Sequence, residues 1–174
     1  MSAELTESQA ALRRAFTSYP RGVVAVAANV DGEPTGMAVS AFLSLSLDPP
    51  LMVICIDRGS STWPKLATAS ELGISVLSEE QAWLGRQLAG PAKERFVGAD
   101  FREAPSGALL AGGAVACFTA RIRETHPGGD HTMVVLDVVD YDADPEIPPL
   151  LWHRGKFAAV AATAHRASPA AAAS

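Results

Sequence analysis

The sequence predicts a mainly β fold, an antiparallel barrel carrying short helical insertions. Two observations point to it. Strand-like runs come in hairpin pairs joined by tight turns, as at Asp31-Gly32 and Pro127-Gly128-Gly129. Helical stretches are few and short, without the regular strand–helix–strand alternation of a doubly wound sheet. The length of 174 residues suits one domain large enough to bury a sizeable core. We expect that domain to span 1–160, followed by a low-complexity, Ala-rich, disordered tail over 161–174.

The first patterned stretch, "TESQAALRRAFTSY" (6–19), reads as an amphipathic helix. Leu12, Ala15, Phe16 and Tyr19 recur at helical spacing, Thr6 can cap the start, and Pro20 and Gly22 stop it. "VVAVAANV" (23–30) is a β-branched strand, and Asp31-Gly32 turns the chain back into "PTGMAVSAFLSLSL" (34–47), read as one returning strand. Its second half sets Phe42, Ser44 and Ser46 against Leu43, Leu45 and Leu47, and either face could be the more polar one. Asp48-Pro49-Pro50 ends it, because proline removes ladder donors. "LMVICI" (51–56) has the continuous apolar character of a buried strand.

A polar loop, "DRGSST" (57–62), precedes a short helix, "WPKLATAS", with Pro64 near its first turn. "LGISVL" (72–77) is a further strand. "SEEQAWLGRQLAG" (78–90) has a serine cap, first-turn acids and a closing glycine, the marks of a helix. "PAKERFVGADFREAPSG" reads as loop. "AVACFTARIRETH" (114–126) and "HTMVVLDVVDYD" (131–142) are two long strands, and "PLLWHRGKFAAV" (149–160) is the last patterned piece. Cys55 and Cys117 fall inside apolar strand runs and read as buried core thiols without a disulfide.

Composition narrows the partners. The net charge is −5 and no block of Lys or Arg stands out, which argues against nucleic acid. No apolar run reaches the roughly 18 residues of a membrane-spanning helix. The polar, acid-bearing start lacks a signal-peptide pattern, so a cytoplasmic setting away from any membrane is expected.

Common catalytic signatures are missing: GxSxG, a P-loop, HExxH, CxxC and GxGxxG. Four constellations remain. His126, His131, His153 and Asp130 could in principle hold a metal, but their spacing is not diagnostic and we expect none. Arg58, Ser60, Ser61 and Thr62 stand just ahead of a helix and offer what an anion wants; capping by Ser61 or Thr62 beside a solvated Arg58 is the simpler alternative. In "TGMAVSAF" (35–42), small residues on a strand let another object approach the backbone, and Ser40 adds a hydroxyl; plain small-residue packing explains the same pattern. In "ETHPGGDHTMVVLDVVDYD" (124–142), a turn needs the glycines and at most Asp130, which leaves His131 without an obvious structural task.

The order of these elements carries more than any one of them. "TGMAVSAFLSLSLDPPLMVICIDRGSSTWPKL", "AKERFVG", "PGGDHTMVVLDVV" and "PLLWHRGKFA", in that succession over residues 10–160, resemble the flavin reductase family. These are small NAD(P)H:flavin oxidoreductases that serve two-component flavin monooxygenases. Members paired with oxygenases of actinobacterial polyketide pathways look especially similar.

The resemblance implies an FMN-binding split barrel, usually a homodimer, that binds free flavin (FMN or FAD) and a nicotinamide dinucleotide (NADH or NADPH). It implies hydride transfer to flavin N5 and supply of reduced flavin to a partner monooxygenase. Met37, Ala38, Val39, Ser40 and Ala41 would run beside the isoalloxazine. Cys55, Ile56, Asp57, Arg58, Ser60, Ser61 and Thr62 would take the ribityl chain and phosphate. Lys93, Arg95 and Phe96 would close over phosphate and ring. Trp152 would lie in the terminal segment near the flavin, although this family commonly carries Tyr there and His153 is an equal neighbour. His131, from the "GDH" element, would orient the dihydronicotinamide without acting as acid or base. The alternative within the fold is a flavin-holding electron-transfer or oxidase-like protein, or a non-catalytic flavin-binding module.

Overall fold

The computed structural model describes residues 6–160. The expected tail over 161–174 lies outside the described residues. Helix α1 (Glu7–Phe16) begins at Thr6, whose hydroxyl accepts from the Gln9 N–H while the Gln9 carboxamide oxygen accepts from the Thr6 N–H. It stops before the end of the predicted 6–19 stretch and buries none of its residues: Leu12, Phe16 and Tyr19 are all exposed. The apolar stripe that makes the sequence amphipathic has no partner among the described residues of this chain.

Strand β1 (Arg21–Gly22) is short. β2 (Val24–Val30) and β3 (Glu33–Val39) form the first hairpin, turning through Asp31 and Gly32 with φ of 54° and 82°. Positive φ at both positions is what a two-residue type I′ turn needs. The predicted single strand over 34–47 is divided at Ser40 and Ala41. β3 pairs with β2, whereas β4 (Phe42–Leu47) pairs with β5 (Pro50–Asp57). After α2 (Trp63–Leu66) come β6 (Leu72–Val76) and a 3₁₀ turn (Glu79–Gln81) that runs into α3 (Ala82–Leu88). The stretch read as loop over 91–107 holds a 3₁₀ turn (Ala92–Glu94) and β7 (Phe101–Glu103), which pairs with β8 (Leu109–Ala111). β9 (Ala116–Gly128) and β10 (His131–Ala143) form the long hairpin, and β11 (Leu151–His153) and β12 (Lys156–Ala158) close the described chain.

The division at Ser40-Ala41 makes the barrel. The seven-stranded antiparallel sheet has the order β3-β2-β6-β9-β10-β5-β4, so β3 and β4 are its opposite edges. In a flat sheet those edges would lie about 29 Å apart, six spacings of about 4.8 Å. The chain from Val39 to Phe42 reaches at most about 11 Å. The sheet must therefore roll up until its two edges meet at Ser40-Ala41; the Cys55 N–H, donating to the Ala41 carbonyl at 2.9 Å, carries the β4–β5 ladder up to that corner.

Inside the roll pack Val24, Val26, Met52, Ile54, Leu72, Ile74, Val134 and Leu136. Outside it, Val23 and Ala25 join Leu77, Leu84, Leu88 and Leu150 in a second cluster beneath α3 and the small sheet β1-β11-β12. β2 is thus buried on both faces, which explains why its sequence is apolar without alternation. No helix among the described residues is long and apolar enough to cross a membrane.

Candidate functional site

At the head of β3 a cleft of about 320 Å³ opens between the β2–β3 hairpin, the loop before α2 and the 92–96 segment. Its wall includes Gly36, Ser61, Thr62, Lys65, Lys93, Arg95 and Phe96. Five of these are predicted site residues. Gly36 and Lys65 are not: Gly36 sits inside a quoted motif, and the signal for Lys65 is its place three residues past Thr62, where a turn of helix returns it to the loop.

Arg95 organises the cleft. Its Nη1 donates to the Gly36 carbonyl at 2.8 Å and to the Thr62 hydroxyl at 2.7 Å, and its Nε donates to the Gly90 carbonyl at 2.9 Å. Among the described residues, Lys65, Lys93 and Arg95 take part in no ion pair; the four pairs present involve Arg121, Arg123, His126 and His131. Glu33 is the one carboxylate in the cleft wall.

Phe96 packs on Phe101 with ring centroids 5.1 Å apart and belongs to the second cluster. Its edge lies against the β3 backbone, so close that a Cβ on Gly36 would sit 2.8 Å from Phe96 Cζ. The glycine is required by this close approach, since its side chain would have to occupy the ring's place.

The loop is self-organised. Asp57 Oδ1 accepts from the Gly59 N–H at 2.6 Å, and the Ser60 hydroxyl accepts from the Trp63 N–H at 3.2 Å. The capping hydroxyl is therefore Ser60, not Ser61 or Thr62 as the simpler alternative had it, and the latter two face the cleft. Ser60 also lies 3.8 Å from Met37 Sδ, which ties the loop to β3 beyond Gly36. Arg58 is exposed and does not line the cleft. Further along, Ala38 packs on the second cluster and Val39 on the barrel core, while half-buried Ser40 and Ala41 form the corner. Among the described residues the Ser40 hydroxyl has no protein hydrogen-bond partner. Ile56 is buried in the barrel core, so its side chain faces away from the loop's open side.

His131 stands at the other end of the same loop, paired in register with Asp57. The Arg58 N–H donates to the Asp130 carbonyl at 3.0 Å, fastening the loop to the β9–β10 turn. His131 Nδ1 lies 2.7 Å from Asp130 Oδ1. The hydrogen bond from His131, and then its charge, hold the Asp130 carboxyl below the usual carboxylate range. With Nδ1 committed to the carboxylate, Nε2 is the nitrogen left for another molecule.

Trp152 is not in the cleft wall. It pairs edge-to-face with Phe157 at 5.0 Å and packs on the second cluster, which it shares with Ala38 and Phe96. His153 is occupied with the turn that follows α1, its Nε2 lying 3.2 Å from the Ser18 carbonyl. His126 faces Glu124 at 3.5 Å. Among the described residues no cluster of three or more His, Cys, Asp or Glu could hold a metal ion. Cys55 and Cys117 are free and half-buried, less enclosed than their apolar surroundings in sequence suggest. Both strands present these cysteines on the face away from the barrel interior. Burial pushes the Cys117 thiol up. A second cleft of about 290 Å³, beneath the β7–β8 arm, holds none of the predicted residues, and its Glu71 is already paired with Arg121 at 2.7 Å.

Known proteins share this architecture. A family model described as a flavin reductase like domain matches residues 16–161. The flavin reductase of Pseudomonas putida is 34% identical over 151 residues, 86% of this chain and 89% of its own. The actinorhodin polyketide dimerase of Streptomyces coelicolor is 31% identical over 161 residues, 92% of this chain and 91% of its own. The NADH:FAD oxidoreductase of Streptomyces globisporus, solved with NAD and FAD fragments, superposes with a TM-score of 0.85 at 33% identity, covering 93% of this chain and 99% of that one. By family match, identity and fold together, the chain belongs to the flavin reductase-like family of split-barrel proteins.

Proposed function

We propose that the protein is an NAD(P)H:flavin oxidoreductase that reduces free FMN or FAD and passes the reduced flavin to a monooxygenase. The observation that carries the reading is the cleft: Lys65, Lys93 and Arg95, free of ion pairs among the described residues, converge with Ser61 and Thr62 beside the backbone of β3. Cations and hydroxyls in this arrangement fit a phosphate ester, and the small residues Gly36, Ala38, Ser40 and Ala41 fit a flat ring laid along the chain there.

Bound flavin supplies the hydride acceptor at N5 and the dihydronicotinamide supplies the hydride from C4, so no protein nucleophile is needed. The chain's own residues bind and orient. Ser61, Thr62, Lys65 and Lys93 surround the phosphate end, with Cys55 and Asp57 leading into it; Ser60 holds the loop in shape by capping α2, and exposed Arg58 stands at its outer side. Phe96 and Arg95 close the cleft over β3. Backbone groups of Met37 to Ala41 and the unpartnered Ser40 hydroxyl meet the polar edge of the ring, where fixed donors stabilise charge that builds up during reduction. Ile56 supports the loop from the core, and Trp152 backs Ala38 and Phe96 through the second cluster. His131, oriented by Asp130, directs Nε2 toward the nicotinamide and positions it without exchanging a proton.

Two relatives support the hand-over to an oxygenase by their names: the reductase subunit of a flavin-dependent monooxygenase of Rhodococcus jostii, at 29% identity, and the reductase component of 4-hydroxyphenylacetate 3-monooxygenase of Thermus thermophilus, at 33%. We place the protein in the cytoplasm, where reduced nicotinamide dinucleotides are available, and as a homodimer through its exposed apolar side chains. The test is NADH oxidation with and without added FMN or FAD. Turnover that rises and saturates with added flavin is the expected result. A yellow protein that keeps its flavin and turns over slowly would favour the electron-transfer or oxidase-like alternative.

A further inference from the structure

We infer that Arg95 is a positioning residue that acts on the flavin phosphate through the Thr62 hydroxyl, leaving Lys65 and Lys93 to meet the phosphate charge directly. This rests on the flavin reading of the cleft. A guanidinium has five N–H groups: one on Nε and two on each Nη. Both acceptors of Nη1, the Gly36 carbonyl and the Thr62 hydroxyl, are protein atoms, and so is the Gly90 carbonyl that takes the Nε hydrogen. Three of the five donors are spent. A forked grip on a phosphate needs two parallel N–H groups from neighbouring nitrogens, and each such pair here includes at least one nitrogen already committed.

The spent donors do something else. They join three separate pieces of chain at one point: β3 at Gly36, the loop at Thr62 and the turn after α3 at Gly90. Thr62 gains most. Its oxygen accepts a charge-assisted hydrogen bond at 2.7 Å, so its own hydrogen is free to donate into the cleft that it lines. An oxygen that accepts from a cation is polarised and becomes a stronger donor. Arg95 is half-buried, where this effect is less screened than at the surface.

The experiment is a double-mutant cycle read with two ligands. FMN and riboflavin share the ring and differ in the phosphate. Wild type, Arg95→Gln, Thr62→Val and the double variant are titrated with each by flavin fluorescence. Each single variant is expected to weaken FMN about tenfold or more, as for loss of a hydrogen bond to a charged group. The double variant should be little worse than the worse single, riboflavin binding should change far less, and Thr62→Ser should restore FMN affinity.

Losses that multiply in the double variant would overturn the inference, because Arg95 would then touch the phosphate itself. Equal weakening of riboflavin and FMN would also overturn it, since that marks a merely structural role. Should Arg95→Gln not fold, Thr62→Val still decides: unchanged FMN affinity removes the relay. A wild-type protein that binds neither flavin refutes the flavin reading itself, and this inference with it.

Discussion

Gly36 shows how much of the site depends on one missing side chain. Its Cβ would meet Phe96 Cζ at 2.8 Å, and the Ala27 Cβ and Val26 carbonyl at 3.0 Å each. The ring could swing away, but the carbonyl belongs to β2 and cannot move without the ladder. Gly36→Ala should therefore cost about 1–3 kcal/mol, as overpacking does. It should also weaken flavin binding by displacing Phe96; denaturant midpoints and flavin titration measure the two effects.

At the far end of the loop, His131→Ala is expected to lower turnover and weaken NADH use while flavin binding survives. Collapse of flavin affinity in a folded variant would remove His131 from the nicotinamide side. The pH behaviour of its partner has a defined sign. The Asp130 carboxyl is lowered from 3.8, so its contribution is present above that value and is lost as pH falls through the lower folded value. Wild type and Asp130→Asn should thus differ in stability above that value and converge as pH falls through the lower folded one, a trend that denaturation at a series of acid pH values would reveal.

Among the elements, the junction between the 3₁₀ turn and β8 is the most dependent on a single side chain. Buried Gln81 accepts from the Ser78 N–H at 3.0 Å and donates to the Gly112 carbonyl at 2.7 Å. Gln81→Ala strands the buried Ser78 N–H and leaves the carbonyl of exposed Gly112 to water. The expected cost is about 1–3 kcal/mol per group left unsatisfied in the interior, less where water enters. Since α3 and the 92–96 segment pack on the same cluster, the variant should also loosen the cleft, visible as faster hydrogen exchange at Arg95 and Val97, whose N–H groups donate within the segment. α1 is the opposite case: it buries nothing, so its removal should barely change the stability of the isolated chain.

For the whole molecule, the telling face is that of β4. Phe42 packs against the barrel core, while Leu43, Leu45 and Leu47 are 51%, 49% and 94% exposed. A solvated edge strand normally carries charge or proline to block pairing; this one carries leucines. Met133 of β10 is exposed as well, and Leu12, Phe16 and Tyr19 add apolar area on α1. This much exposed apolar surface is the signature of an interface. The homodimer proposal predicts that Leu43→Asp combined with Leu47→Asp shifts the protein from dimer to monomer in light scattering, with the barrel's circular dichroism preserved. A wild type that is monomeric at micromolar concentration would rule the proposal out.

Local chemistry in the sequence determined the hairpins, the buried strands and the identity of the loop. Asp31-Gly32 can turn in few ways, "LMVICI" has few places to go but inside, and an ordered succession of motifs carried the family and its cofactors. Three things were decided only by the tertiary structure. The run 34–47 has no Gly or Pro after Gly36, so its division at Ser40-Ala41 is visible only once the sheet has to close across its two edges. β7 is too short and polar to announce itself, and it exists because β8 and Asn29, whose N–H donates to the Gly107 carbonyl at 2.7 Å, are there to receive the arm. The roles of Ser60 and Thr62 follow from which hydroxyl Arg95 reaches, and Arg95 comes from a segment over thirty residues away in sequence. Periodicity and turn chemistry act between neighbours in the chain; closure, edge exposure and the assignment of donors to acceptors depend on neighbours in space.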